Sequence, residues 1–524
     1  MNAFSATRAQ DASIGKIVIA GGGTAGWMCA AALSRFLDPA RVEITLIESD
    51  EIGTVGVGEA TIPTLLQFNA LLGIDEGQFL SFTQGTFKLG IEFVDWYRQG
   101  HCYFHPFGVF GRDRNGIKFH QFWLRHRRED PAAAGELGAY NLSTVAARTG
   151  RFLPPHKGAD HFLASMRYAY HFDASLYARF LRGYAERNRV QRIEGKISEV
   201  ELHNESGLIE TLVLESGLRV PGELFVDCTG FRSLLLGQTL KTSFVDWRHW
   251  LPCDRAIAMP CESAGDATPF TRSTADAAGW RWRIPLQHRI GNGYVYCSEF
   301  IRDDDAAARL RENLDGHALG EPRQLRFAAG RRDKFWVNNC VALGLAAGFL
   351  EPLESTSIHL IQTGIQKLIA LFPDTHFSTI ESDEFNRLTI EEYEYTRDFI
   401  ILHYALTERE DTPLWRHCRN MRVPETVERK IQLFKQKGRI FRWPADLFTE
   451  DSWIAVMLGQ GVDPGGYDPL VDAIPAEQLG AYLAYIRDSI TRAASSMPTH
   501  MEYVREHCPA VPTRRPGIVH GARC

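Results

Sequence analysis

Apolar and polar positions alternate along this chain in two different rhythms, and the change from one to the other marks its organisation. Lys16 to Ala20 is a short β-branched run, and the glycine-rich stretch Gly21-Gly22-Gly23-Thr24-Ala25-Gly26 follows it directly. From Trp27 to about Leu37 apolar residues recur at three- and four-residue steps, which predicts a helix; Asp38-Pro39 ends it, and Val42 to Ile47 is the next strand. Strand-like alternation returns over 193–200 and 209–213. The wholly apolar runs Leu224 to Val226 and Cys340 to Leu343 lead into Asp227-Cys228-Thr229-Gly230 and into Gly344. Beyond 381 the rhythm is helical, over 384–409, 424–437 and 476–507.

Composition narrows the picture. At 524 residues the chain exceeds what one hydrophobic core usually organises, so a large cofactor-type domain with a second lobe is expected. The net charge of -6, from 58 basic and 64 acidic residues, provides no positive field for nucleic acid. Ten cysteines occur without a CxxC pair, which fits reduced thiols in a cytoplasmic protein, and no metal site is expected. No run of about 18 apolar residues is present to cross a membrane. Residues 1–14 lack the apolar centre of a secretory signal and are expected to form a mobile leader, and the Pro- and Gly-rich 511–524 a frayed tail.

The glycine stretch has the form that a dinucleotide needs. Gly21 allows a tight turn, Gly23 lets the backbone approach a pyrophosphate, and Gly26 lets helix and strand pack closely; Thr24 and Ala25 lie where amides at a helix N-terminus meet phosphate charge. Glu48 closes the second strand, where a carboxylate can accept hydrogen bonds from ribose hydroxyls. Asp227 to Gly230 resembles the second nucleotide-contacting turn of FAD enzymes, and Gly344-Leu345 a third flavin-contacting segment, with leucine where many flavin hydroxylases have aspartate. The expected fold is α/β: a Rossmann-like two-dinucleotide-binding FAD fold over 15–380, with inserted segments at about 80–180 and 240–330, and a mainly helical lobe over 381–510.

Three strings then give a specific resemblance: Gly56-Val57-Gly58-Glu59-Ala60-Thr61-Ile62-Pro63, Trp280-Arg281-Trp282-Arg283-Ile284-Pro285, and Phe349-Leu350-Glu351-Pro352-Leu353-Glu354-Ser355-Thr356. Over about residues 15–420 the chain resembles flavin-dependent halogenases, in particular the tryptophan-halogenase branch. The resemblance implies that Trp280, Trp282, Ile284 and Pro285 shield the flavin from organic substrate. It implies that Lys88 captures hypohalous acid, either as an ammonium donating a hydrogen bond or as an amine forming a haloamine. Glu354 would stabilise the cationic ring intermediate and remove its proton, with Glu351 a rival carboxylate in the same turn. Thr356 and Ser357 occupy the place of the family's Thr-Gly halide pair, so that a serine side chain now restricts the backbone. Ser355, Trp443, Phe448 and Trp453 are candidates for the substrate cleft, the aromatics being equally compatible with core packing. The adjacent Tyr-Tyr pair of tryptophan-binding relatives has no counterpart.

The implied reaction uses reduced FAD, supplied by a separate flavin reductase, with molecular oxygen and chloride or bromide. A flavin hydroperoxide oxidises halide, and hypohalous acid travels to Lys88 and a small aromatic substrate such as tryptophan, indole or an indole derivative. A homodimer is allowed. Two rival readings are an aromatic hydroxylase using the same oxidant directly and a non-catalytic flavin-binding protein.

Overall fold

The computed structural model describes residues 12–51, 58–155, 158 and 162–511. The expectations for the leader and the tail therefore fall almost wholly outside the described residues, as do Gly56 and Val57.

A six-stranded sheet carries the first glycine turn. Its strands run, in spatial order, Trp336–Val337, Cys340–Ala342, Leu224–Asp227, Lys16–Ala20, Glu43–Glu48 and Gln191–Glu194. Neighbours are parallel except Trp336–Val337, which closes one edge antiparallel. Ile17 pairs with Ile44 on one side and Leu224 on the other, and Ile17 to Ala20 are buried. Burial on both faces explains why the central strands Lys16–Ala20, Leu224–Asp227 and Cys340–Ala342 read as largely apolar runs. The helix Thr24–Phe36 begins inside the glycine stretch, three residues before the expected start. Glycine and alanine are small enough to continue helical backbone there, so the apolar rhythm alone placed the boundary late.

A seven-stranded sheet holds the tryptophan string as the strand Gly279–Pro285, paired antiparallel with Thr271–Asp276 and Ile290–Tyr296. Its far edge is the pair Gly90–Val94 and Cys102–Pro106. Beside it a three-stranded sheet joins Gly58–Ala60, Ala169–Asp173 and Thr86–Lys88. Among the described residues, the strand carrying Lys88 thus pairs along one edge, with Ala169–Asp173.

The helical rhythm after 381 corresponds to Thr379–Ala405, Glu425–Lys437 and a pair, Ala476–Ser495 and His500–His507, in place of one helix over 476–507. Pro498 disfavours helical backbone at the residue before it and removes an amide donor. Thr499 then starts the second helix in a reciprocal cap with Glu502. One apolar core draws residues from Ile14 to Cys508, so these helices pack on the same interior as the sheets. Among the described residues no helix is long and apolar enough to cross a membrane, no group of metal-ligating side chains occurs, and the cysteines are free.

Candidate active site

A cavity of about 580 Å³ opens along the carboxyl ends of the parallel strands. Gly21 to Ala25, Glu48, Gly230, Gly344 and Leu345 line one part of it, and Trp280, Trp282 and Ile284 another. Gly21 has φ +105, and a Cβ there would lie 2.3 Å from the Cys228 carbonyl oxygen; a Cβ on Gly26 would lie 1.9 Å from that of Gly21. Among the described residues no side chain caps the helix that starts at Thr24, and its first turn carries no acidic residue, so its leading amides are available to phosphate. Glu48 accepts from Trp27 Nε1 at 3.1 Å and from Arg192, which fixes its carboxylate at the cavity edge. The donors and the shape fit a dinucleotide such as FAD.

Gly26 and Asp227 support this cavity without lining it. Asp227 is fully buried and both its oxygens are occupied, accepting from Thr229 N and Oγ1 and from the amides of Leu235 and Leu236. Its geometry is that of a residue shaping the second turn. Pro285 likewise acts through its carbonyl, which accepts from Thr86 Oγ1 at 2.7 Å and ties the tryptophan strand to the lysine strand.

Lys88 and Glu354, 266 positions apart in the chain, come near enough for their charges to interact, beside Leu353 and Ser355 of the cavity wall. Lys88 is completely buried; its Nζ donates to Ser355 Oγ at 2.9 Å and to the Thr61 carbonyl at 3.0 Å, and stands 5.3 Å from the Phe107 ring centroid. Burial lowers the Lys88 pKa to about 7, against the opposing pull of the Glu354 carboxylate. Ser355 holds its hydroxyl there from a left-handed backbone, φ 60, a conformation that costs a non-glycine residue on the order of 1 kcal/mol.

Burial alone would raise the Glu354 pKa, but two imidazoles hold it at about 2. His105 Nδ1 donates to it at 2.9 Å, and His403 Nε2 faces Oε1 at 2.7 Å. The other nitrogen of His403 meets the Tyr103 hydroxyl at 2.9 Å. Sequence reasoning missed this histidine pair. A signal was present in the strand Cys102–Pro106, where period two puts Tyr103 and His105 on one face, but nothing nearby in sequence pointed to a carboxylate 249 positions away.

Glu351 has a separate place. Its Oε2 accepts from Trp280 Nε1 and from Tyr404 Oη, both at 2.6 Å, and burial raises its pKa to about 7. It therefore anchors a cavity-lining indole. Replacing Glu351 with leucine is expected to leave both donors unpaired and to cost about 1–3 kcal/mol for each, whereas glutamine keeps the accepting oxygen and most of the stability. Thermal unfolding of the two variants checks this; equal melting temperatures would remove the anchoring role.

Thr356 is the N-cap of the helix that starts at Ser357, Ser357–Ala370; among the described residues no side chain caps it and Thr356 Oγ1 is buried without a partner, while Ser357 lines the cavity. The open helix start suits an anion. Of the aromatic cleft candidates, Phe448 stacks on Phe399 at 3.8 Å and lies 6.2 Å from His105, close to Glu354. Trp453 packs edge-on behind Phe399 in the core, with Lys430 over its face, and Trp443 is exposed at the surface.

The tryptophan halogenase family model matches residues 16–476. Tryptophan 6-halogenase SttH from Streptomyces toxytricini is 34% identical over 519 residues, covering 93% of this chain and 97% of that protein. Among solved structures, Xcc4156, a flavin-dependent halogenase from Xanthomonas campestris, has 49% identity and a TM-score of 0.92, covering 96% of this chain and 100% of the other. BrvH, a flavin-dependent halogenase from Brevundimonas sp. BAL3, has 47% identity and a TM-score of 0.91, with 95% and 100% covered. A family match over most of the chain, together with these likenesses in sequence and structure, establishes that the chain belongs to the tryptophan halogenase family and is a flavin-dependent halogenase.

Proposed function

We propose that this enzyme chlorinates or brominates an electron-rich aromatic ring, tryptophan, indole or an indole derivative, with Lys88 presenting the halogen and Glu354 receiving the ring proton. The supporting observation is a buried lysine bonded to Ser355 on the wall of a cavity lined by dinucleotide-type turns and two indoles, with the buried Glu354 carboxylate near enough to act on its charge. Reduced FAD, delivered by a reductase and bound in that cavity, supplies with oxygen the oxidising power that turns halide into hypohalous acid.

The remaining work belongs to the protein. The open helix start at Thr356 and Ser357 holds halide, and Trp280, kept in place by Glu351, closes the flavin side to organic substrate. The Lys88 ammonium donates to the oxygen of hypohalous acid and makes its halogen electrophilic. Glu354, ionised at neutral pH, stabilises the positive ring and takes its proton. The test is direct: reduced FAD, oxygen, bromide and indole are combined with the enzyme, and mass spectrometry asks whether the product gains halogen. Oxygen incorporation alone would assign the chain to aromatic hydroxylation.

The titration of Lys88 gives the proposal a pH signature. Its ammonium is present below about pH 7 and is lost as pH rises through that value. Halogenated ring per hypohalous acid formed is therefore expected to be level on the acidic side and to fall above pH 7. A rise over the same interval would assign the transfer to the free amine.

A further inference from the structure

The segment Gly58 to Pro63, whose Thr61 carbonyl receives Lys88, carries an acidic residue in a distinct place. Glu59 lies on the strand Gly58–Ala60 and lines the same cavity as Trp282 and Ile284. One residue after that strand, the Thr61 carbonyl accepts from Lys88 Nζ. A single short segment thus borders the flavin cavity with a carboxyl and the lysine chamber with a backbone oxygen.

Two other carboxylates and one lysine of the cavity wall are already committed. Glu48 is held by Trp27 and Arg192, Asp50 by Arg192, and Lys196 by Glu51. Burial drives Cys228 and Tyr393 far from neutral titration. Glu59 alone among these carboxyls has no hydrogen-bond or ion-pair partner among the described residues.

Around its strand the charges pair with one another. Arg289 donates to Asp173 at 2.7 Å, Arg281 pairs with Asp276, and Arg283 with Asp315. His171 and His288 are neutral, their pKa values lowered first by burial and then by neighbouring cations. Burial, then the Asp173 charge, raises the Glu59 pKa to about 7, where a carboxyl can both give and regain a proton.

The reaction needs such a group. Reduced flavin anion, dioxygen, halide and two protons give oxidised flavin, hypohalous acid and water, so each turnover consumes protons inside a walled cavity. We propose, building on the halide-oxidation reading above, that Glu59 is the proton donor for oxygen–oxygen bond cleavage in the flavin cavity. As a halide lone pair bonds to one oxygen and the oxygen–oxygen bond breaks, the other oxygen takes the carboxyl proton. Glu59 is left as a carboxylate until solvent reprotonates it.

Two measurements on wild type, Glu59→Gln and Glu59→Asp test this. Calorimetric titration with FAD at pH 7.5, in two buffers of different ionisation heat, reads proton uptake without turnover. Wild type and Glu59→Asp are expected to take up protons as the ring covers the carboxyl, and Glu59→Gln none. With reduced FAD, oxygen and bromide but no aromatic substrate, trapped hypohalous acid is expected to fall at least tenfold in Glu59→Gln and to lose its decline above pH 7. Glu59→Asp should keep that pH dependence. Equal proton uptake and equal hypohalous acid formation in wild type and Glu59→Gln would overturn the role of Glu59 alone. A wild type that binds FAD but forms no hypohalous acid would overturn the halide-oxidation reading along with it.

Discussion

Replacing Lys88 with alanine is expected to lower ring halogenation at least about 100-fold, equivalent to about 2.7 kcal/mol of transition-state stabilisation, while FAD binding and hypohalous acid formation persist. The basis is location. Lys88 Nζ bonds Ser355 and Thr61 and does not itself line the cavity whose glycine turns would hold the dinucleotide, so the substitution removes the transfer device and spares the oxidant. Lys88→Met is the better control for folding. A lysine whose pKa is lowered to about 7 by burial weakens the fold at neutral and acidic pH, because the unfolded chain keeps its proton more readily, and methionine removes that cost. The methionine variant is therefore expected to melt at a higher temperature than wild type while sharing the alanine variant's loss. Trapped hypohalous acid and halogenated product, measured in the same reactions, separate the two steps; product formation at the wild-type rate would remove Lys88 from the mechanism.

Glu354→Gln is the second large effect expected, a loss of about 100-fold in the ring step, in the range by which positioned general bases accelerate reactions. Glutamine has the same size and still offers one oxygen to His105 or His403, so the pocket should survive. What disappears is the negative charge that faces both Lys88 and the cationic ring. The same charge sets an acid limit. Glu354 has its pKa lowered in the fold to about 2, so its contribution to stability is complete above the ordinary carboxylate range and is lost as pH falls towards 2. Acid unfolding of Glu354→Gln should lack that component. Wild-type turnover in this variant would defeat the assignment of the base.

The dinucleotide part of the molecule was readable from local sequence because each of its constraints is local. A tight turn at Gly21, a close approach at Gly26 and an apolar strand on either side each need particular residues within a few positions of one another. Period two along Gly279–Pro285 likewise predicts that Trp280 and Trp282 share a face, and both border the cavity. Lys88 and Glu354 were found by resemblance, since nothing in their own surroundings distinguishes a buried lysine from a surface one. The support around them was hidden for a stronger reason. His105, His403, Glu351 and Tyr404 reach their partners only through tertiary packing, across separations that no periodicity reports. Trp453 illustrates the limit from the other side, since an aromatic beside a cleft and an aromatic in a core have the same sequence pattern, and its packing against Phe399 is visible only in the fold.

A crystal structure with indole bound, compared with the regiochemistry of the brominated product, tests the central claim most directly. The ring carbon nearest Lys88 Nζ should be the carbon that carries bromine, with Glu354 on the side from which the proton leaves. Indole seated in the inner chamber with a more distant carbon brominated, or seated away from Lys88 altogether, would contradict the account.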